Sequence, residues 1–271
     1  MEKITSRHNP LCVHIKKLGV NRKYRQSSGQ FLCDGLKLLE EAADADAEIV
    51  SVLTATQIPF PLPLGARVYY TDRSLIDSLS PLKNAQDILF TCNIPNTGQE
   101  LNTSTAHILL DSVSDPGNVG TIIRTAYAFG IGSVILTGEC ADPYNPKTVR
   151  ATMGAVFKQR IHTMSFSELA GIKKKSENTP RGEDAGSYEN GVTFIGAALG
   201  DDCLDISSVG LGGAIIAVGS EGRGLSDEIL SLCDKKVMIP IAPGCESLNA
   251  AVAAAIAMWE AGRSRSAGGN R

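Results

Sequence analysis

The stretch HILLDSVSDPGNVGTIIRTAYAFGIGSVILT, residues 107–137, decides the fold. It opens on the apolar run 107–112, breaks at the turn-forming Asp115-Pro116-Gly117-Asn118, continues with helical spacing over 118–129 and closes on a second apolar run at 133–137. Near-continuous apolar strands joined by a helix are the pattern of a parallel sheet covered on both faces. The pattern continues downstream. Strand-like runs stand at 160–163, 192–198, 213–218 and 236–239, and helix-like runs at 146–157, 165–175, 225–233 and 247–262. This spacing predicts an α/β domain over residues 106–271 built on a mostly parallel sheet.

Residues 1–95 predict a smaller α/β domain, with a helix over 35–43, strands over 49–54, 67–71 and 88–94, and a short helix over 72–79 with Asp72 as its N-cap. Residues 96–105 are polar and without period, and they predict the linker. The segment 176–191 (SENTPRGEDAGSYENG) is too polar and Gly-rich for a core and predicts an exposed, mobile loop. A chain of 271 residues is the length of two domains of ordinary size.

Composition removes several classes. A hydrophobic content of 43% excludes wholesale disorder. No apolar run reaches the length of a membrane span, and MEKITSRHNP lacks an apolar signal core. Seven scattered cysteines with no Cys-x-x-Cys pair argue against a disulfide framework and a structural zinc. The expectation is a soluble cytoplasmic protein without membrane or metal partners.

The formal charge of −3 conceals an uneven distribution. Residues 1–30 hold Lys3, Arg7, Lys16, Lys17, Arg22, Lys23 and Arg25 against Glu2 alone. Residues 3–25 are therefore a candidate phosphate-binding segment, with Tyr24 able to stack on a base. A solvated helix face would have the same composition.

Three segments after predicted strands break ordinary patterning, and ligands of open parallel sheets bind at strand carboxyl ends. In 115–130, Val119, Ile122, Ile123, Ala126 and Gly130 form the face packed on the sheet, while Gly120, Arg124 and Ala128 form another with room for a ligand. In 219–226 (GSEGRGLS), three glycines permit close backbone approach, yet Glu221 would repel a phosphate and there is no Gly-Lys-Ser/Thr. In 239–262, Ser247 is a candidate N-cap, and Leu248, Val252, Ala255, Ile256 and Trp259 are the expected buried stripe. Lys147, Arg150 and Lys158 are expected to add basic groups near the cleft.

The ordered set Asn118-x-Gly120-x-x-x-Arg124, K-x-x-R-A-T-M-G-A at 147–155, GSEGRGLS at 219–226 and IPI…ESLN at 239–249 resembles the SpoU/TrmH family of RNA ribose 2′-O-methyltransferases. ITSRHNP at 4–10 and FLCDGLKLLEEA at 31–42 are similar to that family's L30e-like substrate-binding domain. Three departures stand out: Asp34 where the family often has Glu, no Gly in KNAQDILF, and Ala251 where Ser is common. The resemblance implies a trefoil-knotted methyltransferase domain, S-adenosylmethionine as cofactor, structured RNA (ribosomal before transfer RNA) as substrate, and a homodimer. It also implies that Asn118, Arg124, Glu221, Ser247 and Asn249 serve catalysis, and that Ala197, Gly219, Ile239 and Leu248 hold the cofactor. Arg124 would assist the ribose hydroxyl as base or, better for so high a pKa, by anchoring a phosphate, with Glu221 fixing it by a charge-assisted contact. A non-catalytic RNA-binding protein on the same fold is the alternative from a different class. A nucleotide-dependent oxidoreductase is disfavoured, because no strand is followed by G-x-G-x-x-G.

Overall fold

The computed structural model describes residues 2–96, 98, 101, 102, 104–177, 192–200 and 202–268. The loop expected over 176–191 therefore falls, from residue 178 on, outside the described residues. In chain order the elements are β1 (Glu2–Lys3), α1 (Pro10–Val20), α2 (Arg22–Ser28), β2 (Gln30–Asp34), α3 (Leu36–Asp44), β3 (Ile49–Thr54), β4 (Arg67–Tyr70), α4 (Arg73–Leu79) and β5 (Ile88–Asn93). Then follow β6 (His107–Asp111), α5 (Pro116–Ala128), β7 (Val134–Thr137), α6 (Pro146–Ala151), β8 (Ile161–Thr163), α7 (Phe166–Glu177), β9 (Phe194–Ala197), β10 (Leu204–Asp205), β11 (Ile215–Val218), α8 (Asp227–Leu232), β12 (Lys235–Met238) and α9 (Ala250–Gly268).

Two compact units result. The first joins residues 1–96 to residues 142–158, and the second comprises 97–141 and 159–271. Residues 142–158, read with the second half in the sequence, thus pack in the first unit. There α6 lies against β2, and Tyr144 and Phe157 place their rings 5.0 and 6.0 Å from that of Phe31. Gly154 (φ +95°) lets the chain pass Glu41, whose Cβ would stand 2.7 Å from an added methyl.

The first unit is built on a five-stranded sheet in the order β1-β4-β3-β5-β2, with β5 antiparallel to both neighbours. The apolar residues Cys12, Ile15 and Leu18 recur at helical spacing on α1 and bury against Leu32, Leu53 and Leu89 of the sheet. The Arg25 guanidinium is buried and does not reach solvent as the basic-segment reading expects. It meets Asp142 at 2.6 and 2.8 Å and donates to the Leu18 carbonyl at 2.6 Å. Lys147, Arg150 and Lys158 also belong to this unit. Arg150 pairs with the buried Asp34 at 3.2 Å and Lys158 with Glu41 at 2.7 Å, so these two are spent on local ion pairs.

The second unit carries a seven-stranded sheet in the order β10-β12-β9-β11-β6-β7-β8, and every pairing in it is parallel. Its core gathers Leu109, Ile135, Phe194 and Ile215 with Leu169, Ile229 and Leu232 from α7 and α8. From β6 the chain moves to β7 on one side, whereas from β11 it moves by α8 to β12 on the other. The sheet's switch point therefore lies between β6 and β11, where open parallel sheets place ligands. On α5, Val119, Gly120, Ile122, Ile123 and Ala126 are buried and Arg124 is exposed. Gly120 thus joins the packed face, and Gly130 does not.

The last helix inverts its expected stripe. Ala250, Ala251, Ala254, Ala257, Met258 and Ala261 are buried, whereas Val252 and Trp259 are exposed and Ala255 and Ile256 half-buried. The small face wins because α9 packs directly on α5 and β11, and alanine permits that close approach. Among the described residues no helix is long and apolar enough to cross a membrane, and no group of three or more His, Cys, Asp or Glu is placed to hold a metal.

Replacing Arg25 by Ala strands the Asp142 carboxylate in the first unit. Chemical denaturation followed by circular dichroism should then show a loss of about 3 kcal/mol. A loss below about 1 kcal/mol would assign the pair no part in holding residues 142–158.

Candidate functional site

Four adjacent parallel strands, β12, β9, β11 and β6, end on the same edge of the second sheet; β6, β11 and β12 open into the three segments singled out by the sequence, and β9 ends at Ala197. After β11 the chain turns back on itself. Ser220 and Gly224 form a bridge, with backbone hydrogen bonds of 3.1 and 2.9 Å. Gly219 makes this turn possible, since a Cβ there would lie 2.0 Å from the Gly224 carbonyl carbon. The far end of the loop is tied down by Asp111, the last residue of β6. Its buried carboxylate accepts the Ser226 N–H at 2.7 Å, while the Ser226 hydroxyl caps α8.

Glu221 sits at the centre. Its Oε1 accepts from Asn118 Nδ2 at 2.8 Å, from Asn249 Nδ2 at 2.5 Å and from the Ala250 N–H at 3.4 Å. Asn249 Nδ2 also reaches Asn118 Oδ1 at 3.2 Å. Each asparagine is placed by a helix start. Asp115 caps α5 by accepting the Asn118 N–H at 2.8 Å, and Asn249 caps α9, its Oδ1 accepting from Ala251 N at 2.9 Å and Val252 N at 3.3 Å. The N-cap is therefore Asn249 and not Ser247. The carboxylate suits two helix N-termini, whose free N–H groups favour negative charge.

Beside this cluster opens a cavity of about 500 Å³. Its lining includes Ala197, Gly219, Ile239 and Leu248 together with Glu221 and Ser247. Asn118, Arg124 and Asn249 do not line it. Arg124 is exposed and makes no contact with Glu221, whose Oε1 is occupied by amides. Among the described residues Arg124 has no ion-pair or hydrogen-bond partner for its side chain.

The volume is that of a pocket for a small organic ligand. Val218, Leu225, Val237 and Ile239 give it an apolar wall, and Arg223, Glu221 and Glu246 set one cation and two carboxylates on it. An amphipathic, zwitterionic ligand with a flat heterocycle fits that division, and S-adenosylmethionine has that chemistry. Below the rim, Gly196 lets Cys233 approach β9, with Sγ 2.9 Å from an added Cβ; burial pushes this thiol up to about 11, so it is uncharged near neutrality.

Sequence reading overlooked Asp111, Arg223 and Glu246. Asp111 ends an apolar strand, and a charged residue at that position resembles a surface boundary. The other two lie inside motifs that were read for other residues.

Gly219→Ala should force the loop away from Gly224. Equilibrium binding of S-adenosylmethionine is then expected to weaken at least about tenfold, with cooperative unfolding retained. Unchanged affinity would remove the loop from the cofactor site.

Residues 105–259 match the SpoU rRNA Methylase family, and residues 1–89 match the MRM3-like substrate binding domain. The chain is 31% identical, over 96% of its length and 98% of the relative's, to the 23S rRNA (guanosine(2553)-2′-O)-methyltransferase RlmP of Bacillus subtilis. It is 26% identical to the human mitochondrial rRNA methyltransferase 3, over 90% of this chain and 70% of that one. The crystal structure of an AdoMet-bound rRNA methyltransferase from Sinorhizobium meliloti superposes with a TM-score of 0.80 at 28% identity, covering 97% of both chains. That of the SpoU methyltransferase AviRb from Streptomyces viridochromogenes with AdoMet gives 0.82 at 25%, covering 97% of this chain and all of the other. With a family match over more than half its length, the chain belongs to the SpoU rRNA methylase family.

Proposed function

We propose that this protein transfers a methyl group from S-adenosylmethionine to the 2′-hydroxyl of one ribose in ribosomal RNA, in the cytoplasm. The observation that carries the reading is the junction of Asn118, Glu221 and Asn249 at the edge of a cavity lined by Ala197, Gly219, Ile239 and Leu248. When bound, S-adenosylmethionine supplies an activated methyl group. The chain's own residues do the rest. Backbone groups at Gly219, Ile239, Leu248 and Ala197 hold the cofactor in the apolar cavity. Asn118 and Asn249, locked by Glu221, and Ser247 at the cavity wall orient the ribose hydroxyl for in-line attack. Glu221 keeps Oε2 without a partner among the described residues, an acceptor for that hydroxyl's proton. Arg124, exposed on the same helix as Asn118, anchors an RNA phosphate.

Lys16, Lys17, Arg22 and Lys23, exposed on α1 and α2, hold the RNA by its backbone. Tyr24 contributes less than its sequence position promises, since its hydroxyl is bound to His14 at 2.9 Å and Lys17 lies over its ring. The reading includes a homodimer. Tyr127 on α5 and Val252 and Trp259 on α9 are exposed large side chains on two packed helices, which a second copy would cover. It also includes the trefoil knot, tied where 219–226 meets 239–249.

Purified protein should move tritium from labelled S-adenosylmethionine into ribosomal RNA and not into transfer RNA, with the label in alkali-resistant dinucleotides. Arg124→Ala should lower the rate at least about 100-fold and leave cofactor affinity within about threefold. Label in transfer RNA alone, alkali-labile label, or an active Arg124→Ala protein would each contradict the assignment. Sedimentation of the same preparation should give the mass of two chains, and a single-chain mass would remove the dimer.

A further inference from the structure

A second cavity, of about 390 Å³, opens in the first unit between α1 and the sheet and shares no residue with the cofactor cavity. Asn9 and His14 of the α1 segment form one wall, and Gln30, Arg67 and Tyr69 come from the strands beneath. We infer that this cavity is a pocket for one unpaired RNA nucleotide whose base edge presents carbonyl oxygens, guanine or uracil. The inference rests on the reading of the protein as an RNA-modifying enzyme and adds to it a recognition site away from the reacting ribose.

The hydrogen-bond arithmetic sets the chemistry. Gln30 Oε1 can only accept, so His14 Nε2–H donates to it at 2.9 Å. The remaining ring nitrogen, Nδ1, then accepts from the Tyr24 hydroxyl at 2.9 Å. This relay orients the Gln30 amide, with Oε1 turned to His14, and its Nε2 has no partner among the described residues. Asn9 behaves in the same way, because its Oδ1 accepts the Leu11 N–H at 2.9 Å as the cap of α1 and its amide nitrogen is left over. Arg67 is exposed and has no ion partner among the described residues. Three uncommitted donor groups thus line one cavity, and the charged acceptor there is Glu2 on the edge strand.

Such a site selects against an exocyclic amine at purine C6 or pyrimidine C4 and favours a carbonyl there. Guanine offers O6 and N7 to an arginine, and uracil offers O4 and O2 to amide donors. Adenine and cytosine would set an amino group against those donors. The half-buried Tyr69 supplies a ring on which a splayed-out base can stack, the usual mode for single-stranded RNA. Lys17, 5.3 Å from the Tyr24 ring centroid, places positive charge beside the His14 relay for the flanking phosphates.

The test uses the full-length protein saturated with S-adenosylhomocysteine, so that the cofactor cavity cannot take up nucleotides. GMP, UMP, AMP, CMP and inorganic phosphate are titrated to 10 mM by saturation-transfer NMR, about the range expected for single-nucleotide binding. GMP and UMP should bind at least about fivefold more tightly than AMP and CMP, and excess phosphate should not displace them. Arg67→Ala, an exposed change that leaves the core intact, and Gln30→Ala should each weaken GMP binding at least about tenfold. Equal binding of the four nucleotides, displacement by phosphate, absence of binding or an unaffected Arg67→Ala protein would overturn the inference. Methyl transfer to ribosomal RNA is measured on the same purified protein without S-adenosylhomocysteine. Transfer without nucleotide binding overturns the pocket alone, and nucleotide binding without transfer overturns the enzymatic reading alone.

Discussion

One carboxylate oxygen organises the second unit. Glu221 Oε1 takes hydrogen bonds from two asparagine amides and a backbone N–H that belong to segments more than a hundred residues apart in the chain. Charge-assisted hydrogen bonds of this kind are stronger than neutral ones, and three on one oxygen fix the ends of α5 and α9 relative to the loop after β11. The arrangement requires a loop short enough to present Glu221 at that point. Gly219 allows the fold-back, and Asp111 anchors its far end through Ser226. Without either, the carboxylate would have no defined position, and the Asn118 and Asn249 amides and the Ala250 N–H would lose their shared acceptor.

The sheet explains why these segments meet. Parallel strands all present their carboxyl ends on one edge, and reversal of the connections between β6 and β11 opens a crevice there. The wall of that crevice is apolar because β9, β11 and β12 continue their apolar runs to the edge, where Val218, Val237 and Ile239 line the cavity. The polar groups enter from the loops, from the start of α5 at Asn118 and from the end of β6 at Asp111. The strands thus supply the apolar wall, and their ends and the segments after them supply the hydrogen bonds.

Six of the seven strands described in the second sheet were legible because buried parallel strands read as near-continuous apolar runs, as 107–112, 133–137 and 213–218 do, whereas the two-residue β10 has no such run. Strand β2 was not, because QFLCD is short and runs directly into a helix. Periodicity misled at α9. Hydrophobicity ranks Val252 and Trp259 above alanine for burial, but the helix buries Met258 and its alanines, whose small size lets two backbones approach, and Val252 and Trp259 are left exposed. Charge counting misled at Arg25. No local signal marks which base will meet a carboxylate 117 positions later, and Asp142 made it structural. The site motifs were visible as residue types, yet their pairing was not. Glu221 was expected to hold Arg124, and the geometry gives it to Asn118 and Asn249 because only those side chains sit at the helix starts that surround the loop.

The central claim is that Asn118, Glu221 and Asn249 act as one unit. A double-mutant cycle tests it most directly, with Asn118→Ala, Asn249→Ala and the double variant compared by kcat/KM for methyl transfer to ribosomal RNA. The account predicts that the second substitution adds little once the first is made, a coupling of at least about 1 kcal/mol. Independent, additive losses would show that the two asparagines serve separate roles and would contradict the account.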